Sequence, residues 1–345
     1  MGVFAQESGI EAGSDPWRVG GLALEGRAML APMAGITDLS MRRLARRFGA
    51  ALAFSEMVAS DSRGRDRRES FLRARGEGVS PHAVQIAGCD PQDIAEAARR
   101  AEQAGADLID INMGCPARRV TGGASGSALM RDLDLAQALI AATARATVVP
   151  VSVKMRLGWD HSSLNAPELA RRAEAEGAAM ITVHGRTRNQ FYKGQADWAA
   201  IRATVEAVNI PVVANGDCRD ARDARTMLRL SGARAVMVGR AALGQPWLVG
   251  DIAHDLAHGA PRAKLPAQTR RAAALEHFNA LLDLFGEAHG LRHARKHLAA
   301  YADQAARDGF AIDPRARRLL VESDDAGEVE ALLARIYDTP RKEAA

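Results

Sequence analysis

Short apolar runs recur along the chain, and each leads into a segment whose apolar residues fall three and four apart. The runs occupy 28–32 (AMLAP), 51–55 (ALAFS), 83–87 (AVQIA), 107–113 (DLIDINM), 149–155 (VPVSVKM), 179–184 (AMITVH), 210–214 (IPVVA) and 233–238 (ARAVMV). Most are apolar at nearly every position and bounded by Gly, Pro or Asp, the pattern of strands buried on both faces. The segments between them, such as 91–104 and 132–146, carry the 3.6-residue helical period. Strand–helix alternation predicts parallel βαβ units. Eight such units in roughly 230 residues fit an α/β fold of the (β/α)8, or TIM, barrel type better than an open sheet. An open doubly wound sheet stays as the alternative, because counting strands does not establish closure.

The pattern changes at both ends. Before the first strand, WRVGGLALEGRAML reads as two alternating runs about Glu25-Gly26, a hairpin able to plug the barrel floor. The stretch 257–266 (AHGAPRAKLP) is turn-rich and reads as a linker. Beyond it, Leu275, Phe278, Leu282 and Phe285 share one helical face. Leu291, Ala294, Leu298, Tyr301 and Ala305 share another, with Arg292, His293 and Lys296 pointing away from it. No strand pattern follows. The expected organisation is a barrel domain over 1–256 and a small all-helical domain over 257–345.

Composition narrows the class without choosing a reaction. Of 345 residues, 47 % are hydrophobic and 26 % charged, the balance of a globular enzyme. No run approaches the ~20 apolar residues of a membrane span. The N-terminal segment lacks the basic start of a secretory signal, and Gln6 stands where myristoylation takes a hydroxyl residue. Three cysteines, few and odd in number, point to a reducing compartment and so to the cytoplasm. A net charge of +4 is too small to announce a nucleic-acid partner. The basic residues nevertheless cluster, with ten arginines between 41 and 75 and, late in the chain, Arg262, Lys264, Arg270, Arg271, Arg292, Arg295, Lys296 and Arg307. Solvated helix faces explain most such clusters. Two of them flanking an enzyme core also suit a polyanionic substrate.

Candidate chemistry collects at the C-terminal ends of the strands, where barrels of this type build their active sites. In chain order these ends offer Gln85, Asn112 and Cys115, Lys154 and Arg156, His184 and Arg186, Asn215 and Asp217, and Gly239 and Arg240. The triplet Asn215-Gly216-Asp217 and the pair Gly239-Arg240 fall in the last two units. Glycine there lets backbone amides approach an anion, so a phosphate site is expected. Lys154 stands alone in an apolar run and needs an anion or a polar cofactor to offset its burial. Cys115, just past a strand and before a glycine-rich loop, is placed to act as nucleophile or, protonated, as general acid. Cys89 and Cys218 read as ordinary small residues. His293 and His297 have i, i+4 spacing, but the intervening ARK is no metalloprotease pattern. A surface role or an anion contact is expected of them, and no metal.

The strings LAPMAGITD (30–38), FSEMV (54–58), VQIAG (84–88), DINMGCP (110–116), GSAL (126–129), VKMRLGW (153–159), HGRTR (184–188), ANGD (214–217) and VGRAALGQPW (238–247) precede a late ARKHL (294–298). Together, in this order, they resemble the tRNA-dihydrouridine synthase family, most closely its bacterial B subgroup. The resemblance implies an FMN barrel that reduces uridine in the D-loop of tRNA to 5,6-dihydrouridine with NADPH or NADH, working as a monomer. It implies Pro32, Met33 and Ala34 against the flavin, Gln85 hydrogen-bonded to its ring and Lys154 at its N1/O2 edge. His184 would touch flavin or uracil, and Asn215, Gly216, Asp217, Gly239 and Arg240 would surround the ribityl phosphate. Hydride would pass from flavin N5 to uracil C6, and Cys115 would protonate C5.

By the same resemblance, Asn112, Arg156 and Arg186 would position the uracil, flipped from its stack to reach the barrel mouth. Arg292, Arg295 and Lys296 would offer tRNA phosphates a helical platform. The loop RRVTGGASGSAL after Cys115 departs from the family, where a lysine or larger residue often stands near the glycine pair. The competing readings are an FMN barrel acting on a free pyrimidine and a non-catalytic RNA-binding regulator. The helical tail and arginine clusters speak against the first. Cys115, Lys154 and His184 speak against the second.

Overall fold

The computed structural model describes residues 16–60, 72–122 and 124–338. The segment read for targeting signals, and the arginines between 63 and 68 of the first basic cluster, lie outside the described residues. The side chains of Arg118 and Arg119 do too, as does Gly123 in the loop after Cys115.

The chain enters through an antiparallel hairpin of β1 (Trp17–Val19) and β2 (Leu22–Leu24). Its turn is Gly20-Gly21, with Gly20 at φ +56°, while Glu25-Gly26 joins the hairpin to the barrel. The expected turn at Glu25-Gly26 is therefore displaced. Gly20 supplies the left-handed backbone that a two-residue hairpin turn needs. The apolar face of Trp17, Val19 and Leu24 packs against Met29, Phe54, Leu108, Met180, Val213 and Met237, so the hairpin does close the barrel floor.

The barrel strands are β3 (Ala28–Leu30), β4 (Leu52–Phe54), β6 (His82–Ala87), β7 (Leu108–Met113), β8 (Val151–Arg156), β9 (Ala178–His184), β10 (Val212–Asn215) and β11 (Ala235–Val238). A two-residue β5 (Val58–Ala59) extends the edge beside β6. Every expected strand is present, with ends within two residues of the reading from sequence. All pairings in this sheet are parallel. The ring closes where β11 pairs with β3 and β4 with β6, which excludes the open-sheet alternative. Aspartates punctuate the strand-to-helix turns. Asp38, Asp90, Asp132 and Asp220 each accept a backbone N–H from the first turn of the following helix, worth about 1 kcal/mol apiece.

After β11 the helix Leu248–His258 ends at Gly259, which adopts the left-handed conformation. Four helices follow, Ala267–Phe285, Glu287–Arg307, Pro314–Glu322 and Ala326–Arg335. Phe278, Leu291, Ala294, Leu298, Tyr301, Ala305, Leu320 and Leu333 make their shared core, and the barrel contributes Leu44, Phe48 and Trp247 to it. The apolar stripes read from the sequence are the faces that build this seam.

Several basic residues of the two clusters are engaged by the protein itself. Arg42 is fully buried, donating to the carbonyls of Thr37 and Arg75, and burial brings its pKa down to about 10. Arg270 pairs with Asp308, Arg271 with Asp338 and Arg295 with Asp324. His297, expected at the surface, is buried against His277 and Asp38. It lies on the apolar side of its helix, and the i, i+4 relation to His293 does not decide its neighbours. His293 instead stacks on Phe285 with ring centres 4.3 Å apart.

Candidate active site

A cavity of about 1560 Å³ opens at the C-terminal mouth of the barrel. Its wall brings together Pro32, Met33, Ala34, Gln85, Asn112, Cys115, Lys154, Arg156, His184, Arg186, Asn215, Gly216, Asp217, Gly239 and Arg240. Every barrel residue singled out from the sequence therefore meets at one place. Arg292, Arg295 and Lys296 lie apart from it, on the helix Glu287–Arg307.

Cys115 stands at the end of a chain of hydrogen bonds rooted in the barrel interior. Its backbone N–H donates to Asn112 Oδ1 at 2.9 Å, and Asn112 Nδ2 donates to Gln85 Oε1 at 2.8 Å. Gln85 Nε2 donates to Asp110 Oδ2 at 2.7 Å, and Ser152 Oγ donates to Asp110 Oδ1 at 2.6 Å. From the other side, Ser127 donates its backbone N–H and its hydroxyl to the Cys115 carbonyl. The half-buried thiol is thus carried on a backbone fixed at both its N–H and its C=O. Asp110 and Ser152 escaped the sequence reading. Their signal was the two-residue period, since Asp110 shares a strand face with Asn112, and Ser152 with Lys154 and Arg156.

Lys154 is the cation of the cavity floor. Its Nζ donates to Asn215 Oδ1 at 3.0 Å, and Asn215 in turn donates Nδ2 to the carbonyl of Met237 on β11. Burial, reinforced by the charge of Arg156, brings the ammonium down to about 8. Burial likewise pushes the Asp110 carboxyl up to about 6, against the pull of Gln85, Ser152 and Lys154. The amide of Asn215 is a neutral partner, so the floor holds a cation whose charge is only partly answered. His184 is held neutral, its pKa driven well below 6.5 by burial and by Lys154, Arg156, Arg186 and Arg240. Arg186 Nη1 lies 3.3 Å from His184 Nε2. A guanidinium only donates, so Nε2 accepts and the imidazole proton sits on Nδ1.

The arginines divide by role. Arg186 is buried and spends all five N–H groups inside the protein, on Asp217 (2.6 and 2.9 Å), His184 and the carbonyls of Lys193 and Gly194. None of its N–H groups is left over for the uracil contact expected of it. Arg156 donates to the carbonyls of Gly114, Thr187 and Phe191, tying the Cys115 segment to the loop after β9. Asp217 has its carboxylate saturated by Arg186, Arg240 and the N–H of Ala196, so only its backbone is left to face an anion. Gly216 (φ +116°) and Asp217 (φ +57°) both have positive-φ backbone at the cavity wall, beside the exposed side chain of Arg240.

Tyr192 also went unread. Its ring is about half exposed at the rim, with guanidinium carbons of Arg240 and Arg156 at 4.9 and 5.5 Å from its centre. In a chain with 4 % aromatic residues, the exposed pair Phe191-Tyr192 was the available signal.

Comparisons with known proteins bear on the family of the chain as a whole. The family model described as "Dihydrouridine synthase (Dus)" matches residues 29–336. A protein of Rhizobium leguminosarum bv. phaseoli named "Probable tRNA-dihydrouridine synthase" is 49 % identical over 92 % of this chain and 97 % of its own length. One of the same name from Rhodobacter capsulatus is 50 % identical, over 88 % and 95 %. The "tRNA-dihydrouridine synthase B" of Xanthomonas campestris pv. campestris is 47 % identical, over 83 % and 86 %. Among solved structures, a variant of NCR from Zymomonas mobilis aligns with TM-score 0.52 at 18 % identity, covering 75 % of this chain and 95 % of that one, a likeness of fold. The family match starts in β3 and ends just past the last helix, taking in barrel, cavity and helical unit together, and the chain belongs to the dihydrouridine synthase family.

Proposed function

We propose that the chain is an FMN-dependent tRNA-dihydrouridine synthase that reduces a D-loop uridine at the expense of NADPH or NADH. The observation that carries the reading is the convergence, in one cavity, of a rigidly mounted thiol and a buried, incompletely neutralised lysine. Family membership and the names of the relatives support it.

The donor set fits a flavin. Gln85, Asn112, Lys154 and Asn215 give the floor neutral polar groups and one cation, matching a ring with several acceptors and a negatively charged reduced form. Pro32, Met33 and Ala34 offer the ring an apolar edge. At the other end, the backbones of Gly216, Asp217 and Gly239 with the side chain of Arg240 make an anion cradle for the phosphate. Held by these residues, a flavin would supply hydride-transfer chemistry to the cavity.

The chain's own residues do the rest. Lys154 neutralises negative charge at the pyrimidine edge of the ring. Cys115 gives its thiol proton to C5, and Asn112 and Arg156 hold the segment from which it does so. His184, neutral and with its proton on Nδ1, offers a hydrogen bond without adding charge. The cytoplasm, where tRNA is modified, is the proposed compartment; among the described residues no helix is long and apolar enough to cross a membrane. Division of the chain at the 257–266 link into a catalytic barrel and a tRNA-docking helical domain is part of the same proposal.

The experiment is reduction of tRNA isolated from a strain without dihydrouridine, by purified protein with FMN and NADPH or NADH. Dihydrouridine confined to the D-loop is the expected product. A protein that retains no flavin and leaves the tRNA unchanged refutes the reading.

A further inference from the structure

The seam between barrel and helical unit holds a polar cluster that the reaction does not use. We infer that Asp38, His277 and His297 form a binding site for one zinc-class divalent metal ion, which clamps the helical unit to the barrel. The three come from separate segments. Asp38 precedes the helix Leu39–Arg47, His277 lies in Ala267–Phe285 and His297 in Glu287–Arg307. All three are buried, and one ligand atom from each lies within 4.8 Å of the others.

His297 is the residue that asks for a ligand. It is 2 % exposed, and neither of its ring nitrogens has a partner at full hydrogen-bond geometry, only a weak approach to the backbone of Gly35. A buried polar atom left so is rare in native proteins. Its Nε2 faces Asp38 Oδ2 at 3.6 Å, and the same oxygen is 3.1 Å from His277 Nε2. A tetrahedral zinc site with bonds of about 2.0–2.1 Å separates its ligand atoms by about 3.3 Å, between the two observed distances. An Asp38–His277 ion pair alone satisfies one imidazole and leaves the other with only long contacts to Asp38 and the Gly35 backbone.

The surroundings are those of a ligand set. His277 Nδ1 lies 3.0 Å from the Tyr301 hydroxyl, which fixes the ring and directs Nε2 inward. Asp38 Oδ1 accepts the backbone N–H of Met41 at 3.0 Å, leaving Oδ2 for the cluster. Two imidazoles and a carboxylate are a zinc-type donor set with a fourth position for water. Local spacing pairs His297 with His293, whereas its neighbours in the cluster lie 20 and 259 positions away. Asp38 ends the loop that carries Pro32, Met33 and Ala34, so the clamp would hold that cavity wall against the helices.

The test is metal binding by the full chain, stripped with chelator and dialysed against zinc. One zinc per chain is expected, with a lower thermal midpoint after stripping. His297→Asn and His277→Gln should each weaken zinc by more than about 100-fold, and Tyr301→Phe, which removes only support for His277, by about 10–100-fold. Cobalt(II) titration separates ligand loss from misfolding. The wild-type protein should develop the visible bands of a tetrahedral site, bleached by one equivalent of zinc. Ligand variants with wild-type circular dichroism should not develop them. Wild-type protein that takes up neither metal stoichiometrically overturns the inference. So does a cobalt spectrum with thiolate charge transfer, or metal retained unchanged by both histidine variants.

Discussion

Asn112 accepts the backbone N–H of Cys115 on its side-chain oxygen at 2.9 Å, so a residue inside β7 decides where the thiol stands three positions later. The same amide donates to Gln85 at 2.8 Å, and both of its ends are thereby committed to the protein. In the proposed reaction Asn112 would thus act through Cys115 at least as much as through any contact with a base.

Asn112→Ala should therefore slow dihydrouridine formation by roughly 10–100-fold, the scale of a 1 Å misplacement of a reacting group, while flavin affinity falls less. Single-turnover rates beside FMN titrations check this. A rate unchanged by the substitution would detach Asn112 from the thiol's placement.

Cys115→Ala should keep the protein yellow and cost about 10²–10⁴ in the rate of dihydrouridine formation, the usual contribution of general acid catalysis. Thiol labelling followed by mass spectrometry gives the contrast. Cys89 is exposed, whereas Cys218 is buried with its thiol pushed up to about 12. Alkylation at pH 8 should spare Cys218, and blocking Cys89 should leave the rate intact.

Lys154 yields a pH dependence with a definite sign. Its ammonium is brought down to about 8 by burial, so the charge is present below that pH and lost as pH rises through it. FMN affinity in the free protein should fall above about pH 8, and the Lys154→Met variant should bind more weakly with a flat profile over the same range. Fluorescence titration of FMN from pH 6 to 9.5 measures both. A wild-type profile flat across it would remove Lys154 from cofactor binding.

Local pattern carried the barrel a long way. Gly, Pro and Asp punctuation placed all eight strands, because buried parallel strands must be apolar on both faces and their turns must cap helices. The strand-end rule then gathered the cavity residues without any knowledge of their contacts. What escaped was whatever depends on a neighbour distant in sequence. The Asp110 carboxylate matters through Gln85 and Ser152 on the adjoining strands, and His297 matters through Asp38, 259 positions away. Arg42 and Arg270 looked like surface charge in a list of arginines, yet packing turned them into interior braces.

Gly244 tests how tightly the two units are joined. Its backbone sits at φ +76°, and a side-chain carbon there would overlap the Ala300 carbonyl in the helix Glu287–Arg307. Gly244→Ala should cost more than the ~1 kcal/mol of a left-handed alanine, because the helix must also move. Thermal unfolding of the variant reads the loss. A midpoint within experimental error of wild type would show that the seam yields freely.

The helical unit's charges make the last prediction, and they are not equivalent. Arg295 is paired with Asp324 at 2.8 Å, while Arg292 is exposed and pairs with no acid among the described residues. Lys296 leans back on Gly35 of the barrel. Each phosphate contact contributes close to one unit to the slope of log affinity against log salt. Arg292→Ala should lower that slope for tRNA by about one unit. Arg295→Ala should lower it less, since its charge is already answered by an exposed carboxylate worth at most about 1 kcal/mol. Asp324→Ala, by freeing Arg295, should raise both affinity and slope. Filter binding of unmodified tRNA across a salt series distinguishes the three. Equal slopes in all of them would place the docking surface away from this helix, on the side of the barrel that carries the first arginine cluster.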